Sequence, residues 1–301
     1  MFNLEETLKV SKIDYTVETF AVSHPVTGNP TKFFGTYNTS NNEVFATGFT
    51  KYHTVQNSEA FKVLNLVSDY FPEMEVTKAG SFDSGKTAFI SVNIGRINIS
   101  GKDNLDKTLT VYNSHDGQSP IILSTGTFRV LCENQLHNIF MNSFAKFSHT
   151  KTGKMEYDNQ AVGHVLERFG ENFRKNEALY RKLSDTKVTK AHILASVAKL
   201  LLKNFDKKLS EKETKKQTTI LTDKVNVILD NFRSADNGAI QRDTGWNLYN
   251  SIQGMYQHSG REPLDYDKSV MIGTIKDKTI ESLKVVSEVC ESSVESFEDL
   301  L

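Results

Sequence analysis

The first half of the chain is patterned for β-strands, because β-branched and aromatic residues there cluster or alternate with polar ones in short runs. Two of these runs, residues 32–38 and 43–49, flank residues 39–42, a segment with the composition of a hairpin turn. The runs that predict strands cover residues 14–22, 32–38, 43–49, 74–82, 87–95, 108–114 and 119–125. Their spacing predicts antiparallel hairpins, with further turns at 83–86 and a two-residue turn at 116–117.

One helix is predicted within this β-rich half. Phe61, Leu64 and Val67 recur at helical spacing, Asn57 precedes them as the expected N-cap, and Pro72 ends the segment. After about residue 155 the pattern becomes helical, with candidate helices at residues 157–183, 189–206, 211–233, 243–258 and 268–296. The predicted fold class is α+β: an N-terminal antiparallel β meander with hairpins and a short helix, followed by a mostly helical C-terminal half.

The same pattern predicts a division of the chain into three parts. Residues 1–155 form an antiparallel β-rich core, residues 156–284 a helical part packed on or beside it, and residues 285–301 an acidic C-terminal tail. One domain with a helical extension fits this order better than two independent domains.

Composition narrows the class of protein. The chain has 301 residues, 38% of them hydrophobic, which is enough for a sizeable core. No run of about 18 apolar residues is present, and the first residues lack the basic and apolar regions of a signal peptide. Cys132 and Cys290 lie far apart and have no metal-ligand spacing. We therefore expect a cytoplasmic protein with no membrane span, metal or cofactor.

Charge is distributed unevenly along the chain. The net charge is −1, but residues 168–224 carry 15 Lys and Arg against 7 Asp and Glu, and no basic residue follows Lys284. A tail of this kind can occupy a basic groove in cis, or dock on a replication or recombination protein. The tail residues expected to do so are Glu295, Phe297, Glu298, Asp299, Leu300 and Leu301. The alternative is the end of an amphipathic helix, with Val286, Val289, Val294 and Phe297 packed inward.

The segment Asn113-Ser114-His115-Asp116-Gly117 is the strongest candidate for chemistry. Neighbouring residues on an extended chain point to opposite faces, so Asp116 does not orient His115 as in a catalytic triad, and Asp-Gly is typical of a turn. We favour the turn. The catalytic alternative is a metal-dependent nuclease or hydrolase that uses His115, Asp116 and His137. Cys132 ends an apolar run, which favours a core thiol over a nucleophile.

A basic and aromatic segment at 144–154 predicts nucleic-acid binding. Cations hold phosphates, and aromatic rings stack on bases without reading their sequence. The residues of this segment are Phe144, Lys146, Phe147, His149, Lys151 and Lys154, and further basic candidates are Arg96, Lys102, Lys107 and Arg129. The alternative is a solvated basic loop whose two phenylalanines lie in the core.

Several segments, taken in order, resemble the phage- and plasmid-associated domain-of-unknown-function family 932. They are YHTVQNSEAF (52–61), AGSFDSGKTAFISVNIG (79–95), YNSHDGQSPIIL (112–123), FRVLCENQL (128–136), FSHTKTG (147–153) and WNLYNSIQGMYQH (246–258). The resemblance implies a role in DNA metabolism, and the order of elements is compatible with Rad52-like single-strand annealing proteins, an analogy of fold alone.

The resemblance also implies roles for the matching residues. Those expected to bind backbone phosphates and sugars are Asn113, Ser114, His115 and Arg129, with the lysines of 144–154 extending the cationic track. Those expected to brace the fold through hydrogen bonds are Asn57, Asn134, Asn250 and His258. Assembly into a homo-oligomeric ring or filament follows from the need of annealing for a long shared groove.

The leading hypothesis is a non-catalytic single-stranded DNA-binding protein of phage or plasmid origin, with strand annealing as a compatible activity. Two hypotheses stay open beside it: the nuclease or hydrolase described above, and a counter-defence factor that binds host proteins.

Overall fold

A computed structural model describes residues 2–100, 103–132, 135–202, 211–234, 240–258 and 266–292. At residues 129–132, 135–142, 168–169, 211–212, 258 and 267 it describes the backbone alone. The first elements in chain order are α1 Leu4–Val10, β1 Val17–Ser23, β2 Pro30–Asn38, β3 Val44–Phe49, α2 Asn57–Ala60 and α3 Lys62–Tyr70. They are followed by β4 Glu75–Phe82, β5 Thr87–Ser100, β6 Asp103–Ser114, β7 Ile121–Cys132 and β8 Gln135–Phe147. The helical part contains α4 Lys151–Asp185, α5 Lys190–Leu201, α6 Glu211–Ser234, α7 Gly245–His258, α8 Tyr266–Met271 and α9 Thr274–Glu291.

The strands form two sheets. A three-stranded sheet has the order β1-β2-β3 and is antiparallel, with Phe20 opposite Gly35 and Phe34 opposite Phe49. A five-stranded sheet has the order β4-β5-β6-β7-β8, so each strand lies beside its neighbour in sequence. The predicted α+β class, with antiparallel strands first and helices in the C-terminal half, is confirmed.

The helix after β3 begins differently from the prediction. Gln56, and not Asn57, is the N-cap: its backbone N–H donates to Glu59 Oε2 at 3.0 Å. The Gln56 side chain binds both backbone groups of Val17, at 3.0 Å and 2.8 Å, and so ties the helix start to β1. The N-cap prediction for Asn57 is wrong because that side chain is buried in the interior, at 1% exposure.

Three further elements differ from the prediction. The candidate helix at 268–296 is divided into α8 and α9, and Gly273 is the N-cap of α9. Residues 135–147, for which no strand was predicted, form β8. α4 begins at Lys151, ahead of the predicted start at residue 157.

The chain contains two compact units, each built from separate segments. Unit 1 comprises residues 1–96, 106–126 and 142–173, and unit 2 comprises residues 97–105, 127–141 and 174–301. The boundary between the units falls within β5, β6, β7 and β8 and within α4, so part of each of these elements belongs to unit 1 and part to unit 2.

The core of unit 1 lies between strands of the five-stranded sheet and helices α1 to α4. Leu64 and Val67 of α3, Val111 of β6, Leu123 of β7 and Val165 of α4 are fully buried in one cluster. The stripe that predicted α3 therefore faces the core, as its spacing required.

Unit 2 is organised around Trp246 of α7, which is fully buried beside Tyr180 and Tyr249. Its indole Nε1–H donates to Asp103 Oδ2 at 2.6 Å, and Asp103 is only 1% exposed. A buried carboxylate needs such a donor, because losing a partner in the interior costs about 1–3 kcal/mol.

No helix within the described residues is both long and apolar enough to cross a membrane.

The indole–carboxylate bond is testable by a double-mutant cycle. Trp246→Phe, Asp103→Ala and the double variant should show a coupling free energy of about 1–3 kcal/mol, because Phe lacks the donor and Ala lacks the acceptor of this buried hydrogen bond. Urea unfolding followed by circular dichroism measures it, and additive effects of the two single changes would contradict the assignment.

Candidate functional site

Segments far apart in sequence meet in unit 1 at a buried polar group. It contains two histidines, two asparagines and a tyrosine, here named the histidine cluster: Tyr52, Asn57, Asn113, His115 and His149. Three of the segments that carried the family resemblance, 52–61, 112–123 and 147–153, each contribute to it.

Asn57 is the central hydrogen-bonding residue of the cluster. Its Nδ2 donates to the carbonyl of Ile13 at 3.0 Å, which fixes the orientation of the amide. Its Oδ1 therefore accepts, from Asn113 Nδ2 at 2.9 Å and from His115 Nε2 at 3.0 Å. Asn113 Nδ2 also donates to the carbonyl of Val55 at 2.9 Å. This pattern places the proton of the neutral His115 ring on Nε2 and leaves Nδ1 as the acceptor.

His149 belongs to an aromatic column. Its ring stacks on Tyr52 with centroids 5.0 Å apart, and Tyr52 stacks on Phe49 at 4.8 Å. His149 is 6% exposed, and its backbone carbonyl accepts from the N–H of His53 at 2.9 Å. Among the described residues, neither ring nitrogen of His149 nor Nδ1 of His115 has a hydrogen-bond partner.

Burial keeps both histidines neutral. Loss of hydration lowers the pKa of His115 to about 3, with the nearby His149 as a second cause. Burial likewise lowers the pKa of His149 to about 4, against the opposing effects of a backbone contact at His53 and of Asp116. Burial also raises the pKa of the Tyr52 hydroxyl. At neutral pH these rings therefore supply no positive charge for a phosphate.

The loop after β6 is closed by its own side chains. Asp116 Oδ1 accepts from Ser114 Oγ at 2.7 Å and from the backbone N–H of Gln118 at 2.9 Å. Gly117 has a φ of 70°, and a Cβ there would lie 2.1 Å from Cε1 of Phe49. The turn interpretation of Asp-Gly is confirmed, but the loop spans residues 115–120 and is longer than the two-residue turn predicted.

Backbone contacts fix this loop to its surroundings. The N–H of His115 donates to the carbonyl of Lys86 at 2.7 Å, and the carbonyl of His115 accepts from Thr36 Oγ1 at 2.8 Å. Tyr52 donates its hydroxyl to the carbonyl of Ser114 at 3.1 Å. Asn113, Ser114 and His115 are thus at most 1% exposed and serve as structural groups of the interior.

The residues of the catalytic alternative are arranged otherwise than in a triad. The Asp116 carboxylate binds its own loop, and the His115 ring bonds to Asn57. The side chains of His137 and Cys132 lie outside the described residues. Within the described part of the chain, no three His, Cys, Asp or Glu residues are placed to hold a metal ion.

The basic and aromatic segment separates into interior and surface residues. Phe147 is 4% exposed and Phe144 packs partly against the same core. The structure therefore fits the alternative interpretation, in which both rings belong to the core. Lys154 forms a salt bridge with Asp158 at 2.6 Å, whereas Lys146 and Lys151 are exposed.

The other predicted binding residues are scattered. Arg96 pairs with Asp106 at 2.7 Å, which raises the pKa of its guanidinium, and the Lys107 ammonium lies 5.7 Å from the centre of the Phe173 ring. Lys102, Asn134, the side chains of Arg129 and His258, and the tail residues 293–301 lie outside the described residues. Of the predicted bracing residues, Asn57 acts as described, and Asn250 Nδ2 donates to the carbonyl of Trp246 at 2.7 Å.

The sequence did not point to Tyr52, Phe49 or Lys86 as parts of this site. The available signal was that Tyr52 and Lys86 lie in family-like segments, at 52–61 and 79–95, whereas Phe49 lies in none of them. Their contribution depends on pairings between distant segments, which no local pattern reports.

The neutral histidines make stability dependent on pH. Their folded pKa values lie below the unfolded value of about 6.5, so the unfolded chain binds protons first as pH falls. Their contribution to the free energy of unfolding is complete above about pH 6.5 and is lost as the pH falls toward the folded pKa values. Between about pH 6.5 and 5 the free energy of unfolding should fall by about 3 kcal/mol for the pair. Urea titrations over this range measure it, and His149→Phe should halve the loss; an unchanged slope would contradict the assignment.

The contact between Gly117 and Phe49 is testable with a matched control. Gly28 has nearly the same φ, 68°, but a Cβ there would meet nothing within 4 Å. Gly28→Ala should cost about 1–2 kcal/mol from backbone strain alone. Gly117→Ala should cost about 1–3 kcal/mol more, because Phe49 must move. Equal losses of unfolding free energy in the two variants would show that the aromatic column does not rest on this glycine.

Comparison with known proteins supports the resemblance noted in the sequence. The model of the family described as "Domain of unknown function (DUF932)" matches residues 47–286. No curated protein and no solved structure matches the chain. The matched range contains the Tyr52 to Asn57 segment, the loop after β6 and His149, so the histidine cluster lies within the family domain. Because the match covers well over half of the sequence, the chain belongs to the DUF932 family.

Proposed function

We propose that this protein binds single-stranded DNA without sequence preference, through a cationic surface around the histidine cluster. The observation that carries the proposal is a group of lysines that adjoin the cluster along the chain and make no salt bridge with a described residue. They are Lys51, Lys86, Lys146 and Lys151, here named the lysine rim.

Each rim lysine is a near neighbour in sequence, or a backbone hydrogen-bond partner, of a residue of the cluster. Lys51 directly precedes Tyr52, the Lys86 carbonyl receives the His115 N–H, and Lys146 and Lys151 flank His149. Lys51, Lys146 and Lys151 are exposed, and Lys86 is half-buried.

Charge balance favours a polyanion as the ligand. The carboxylate of the loop, Asp116, accepts hydrogen bonds from Ser114 and Gln118 and makes no salt bridge with a described lysine, and the cluster histidines are neutral. Lysines of one sign that lack acidic partners attract a chain of phosphates and release its counterions on binding. Such contacts go to the backbone, which gives affinity without sequence preference.

The remaining parts of the proposal follow from this ligand. Strand annealing and assembly into a homo-oligomer belong to it, because pairing two strands needs a groove longer than one chain provides. The proposal also includes a phage or plasmid origin, action in the cytoplasm of a host cell and competition by the acidic tail. No cofactor is required, since the binding is electrostatic.

The proposal predicts a specific effect of charge reversal. Lys146→Glu with Lys151→Glu should weaken binding to labelled oligo-dT by about 10-fold or more and lower the slope of log affinity against log salt by about 1.4, at about 0.7 per phosphate contact. Fluorescence anisotropy between about 50 and 200 mM salt measures both quantities.

The matched control is Lys12→Glu with Lys62→Glu, which makes the same change in net charge at two exposed lysines of unit 1. It should leave the salt slope unchanged. Equal effects of the two double variants, or wild-type binding that is insensitive to salt, would overturn the proposal.

A further inference from the structure

The three-stranded sheet has one face toward the interior and one toward solvent. Thr36 lies on the interior face, fully buried and bonded to the loop after β6. Side chains alternate along a strand, so the residues adjacent to Thr36 and their cross-strand partners lie on the opposite face. That face, here named the outer aromatic face, comprises Phe20, Phe33, Tyr37 and Val44, with Gly35 at its centre.

The rings of this face are available to a flat ligand. Phe33 is 39% exposed and Val44 is 49% exposed, whereas Phe20 and Tyr37 are half-buried. Phe20 lies across Gly35: a Cβ at Gly35 would be 2.5 Å from its Cζ atom. Glycine at this position therefore lets one ring lie low on the sheet beside a more exposed one.

Charge is divided between the two ends of the sheet. The Lys32 ammonium lies 5.4 Å from the centre of the Phe33 ring. Phe34 pairs with Phe49 in antiparallel register, so Lys32 and Lys51 fall at the same end. Both are exposed, and neither makes a salt bridge with a described residue. Glu18 lies at the other end, where it accepts from the Tyr37 hydroxyl at 3.0 Å.

We infer that the outer aromatic face is a base-stacking platform for single-stranded nucleic acid, with a base on Phe33 and the adjacent phosphates on Lys32 and Lys51. The inference rests on the proposed function and extends it, since Lys51 belongs both to the lysine rim and to this end of the sheet. The platform explains how a strand held by its phosphates also has its bases bound.

The chemistry of the face selects this ligand over an apolar protein surface. A protein partner that covered Phe33 would have to desolvate two ammonium groups without supplying carboxylates. A nucleic-acid strand brings one phosphate for each base, so ring and cation are both satisfied at neighbouring positions. Stacking is tolerant of base identity, in agreement with binding that lacks sequence preference.

The test compares two strands of equal length, oligo-dT and an abasic sugar–phosphate strand. Phe33→Ala should reduce affinity for oligo-dT by about 10-fold and leave affinity for the abasic strand unchanged, because only the first strand loses a stacked base. Tyr70→Ala is the control: Tyr70 is an aromatic residue of the same unit, 61% exposed, on α3. It should change neither affinity. Circular dichroism of each variant confirms that the fold is kept.

A second variant reports stacking directly. Phe33→Trp should show fluorescence quenching with oligo-dT and none with the abasic strand, against the background of Trp246, which is fully buried. If the wild type binds oligo-dT and both Phe33 variants behave like it, or if affinity for both strands falls equally, the platform is overturned and the proposed function stands. If the wild type binds neither strand, both are overturned. A lower sedimentation mass for Phe33→Ala, with unchanged affinity for oligo-dT, would instead make the face a contact between copies of the chain.

Discussion

The side-chain amide of Asn57 is the interaction on which the architecture of unit 1 depends. Its donor end is tied to the carbonyl of Ile13, and its acceptor end receives Asn113 and His115. One planar group thus joins the segment before β1, the start of α2 and the end of β6. Because these groups are buried, water cannot replace the amide as their hydrogen-bond partner. The amide therefore determines the register in which the three segments meet.

Around this amide, the buried polar residues of the histidine cluster are distinct from the charged residues at the surface. The histidines, the asparagines and Tyr52 are stacked or hydrogen-bonded below the surface, while the rim lysines adjoin them along the chain and remain solvated. The residues with the most suggestive chemistry in the sequence are therefore structural, and under the proposed function it is ordinary lysines that contact the ligand. If the proposed function holds, a preorganised scaffold of this kind would limit the entropy lost when a flexible strand binds.

Local patterns predicted the elements better than the site. The strands at 32–38 and 43–49 and the helix at 211–233 are found almost at the predicted residues, because periodicity and turn composition are properties of neighbouring residues. The strand at residues 135–147 was not predicted, because its polar and apolar residues alternate imperfectly. Asn57 was assigned to a helix cap because Asn favours caps; its actual partners are 44 to 58 positions away, and no local pattern encodes them. The aromatic column is equally non-local, which is why only the family resemblance drew attention to its segments.

The neutrality of the buried imidazoles has a consequence for control of the protein in a cell. A binding surface that relied on histidine would gain and lose charge with small changes in pH near neutrality. Here the rings that could act as such a sensor are withdrawn from solvent and titrate well below that range. Under the proposed function, release of a bound strand would then depend on competing anions and on the ionic composition of the surroundings, and not on a proton signal.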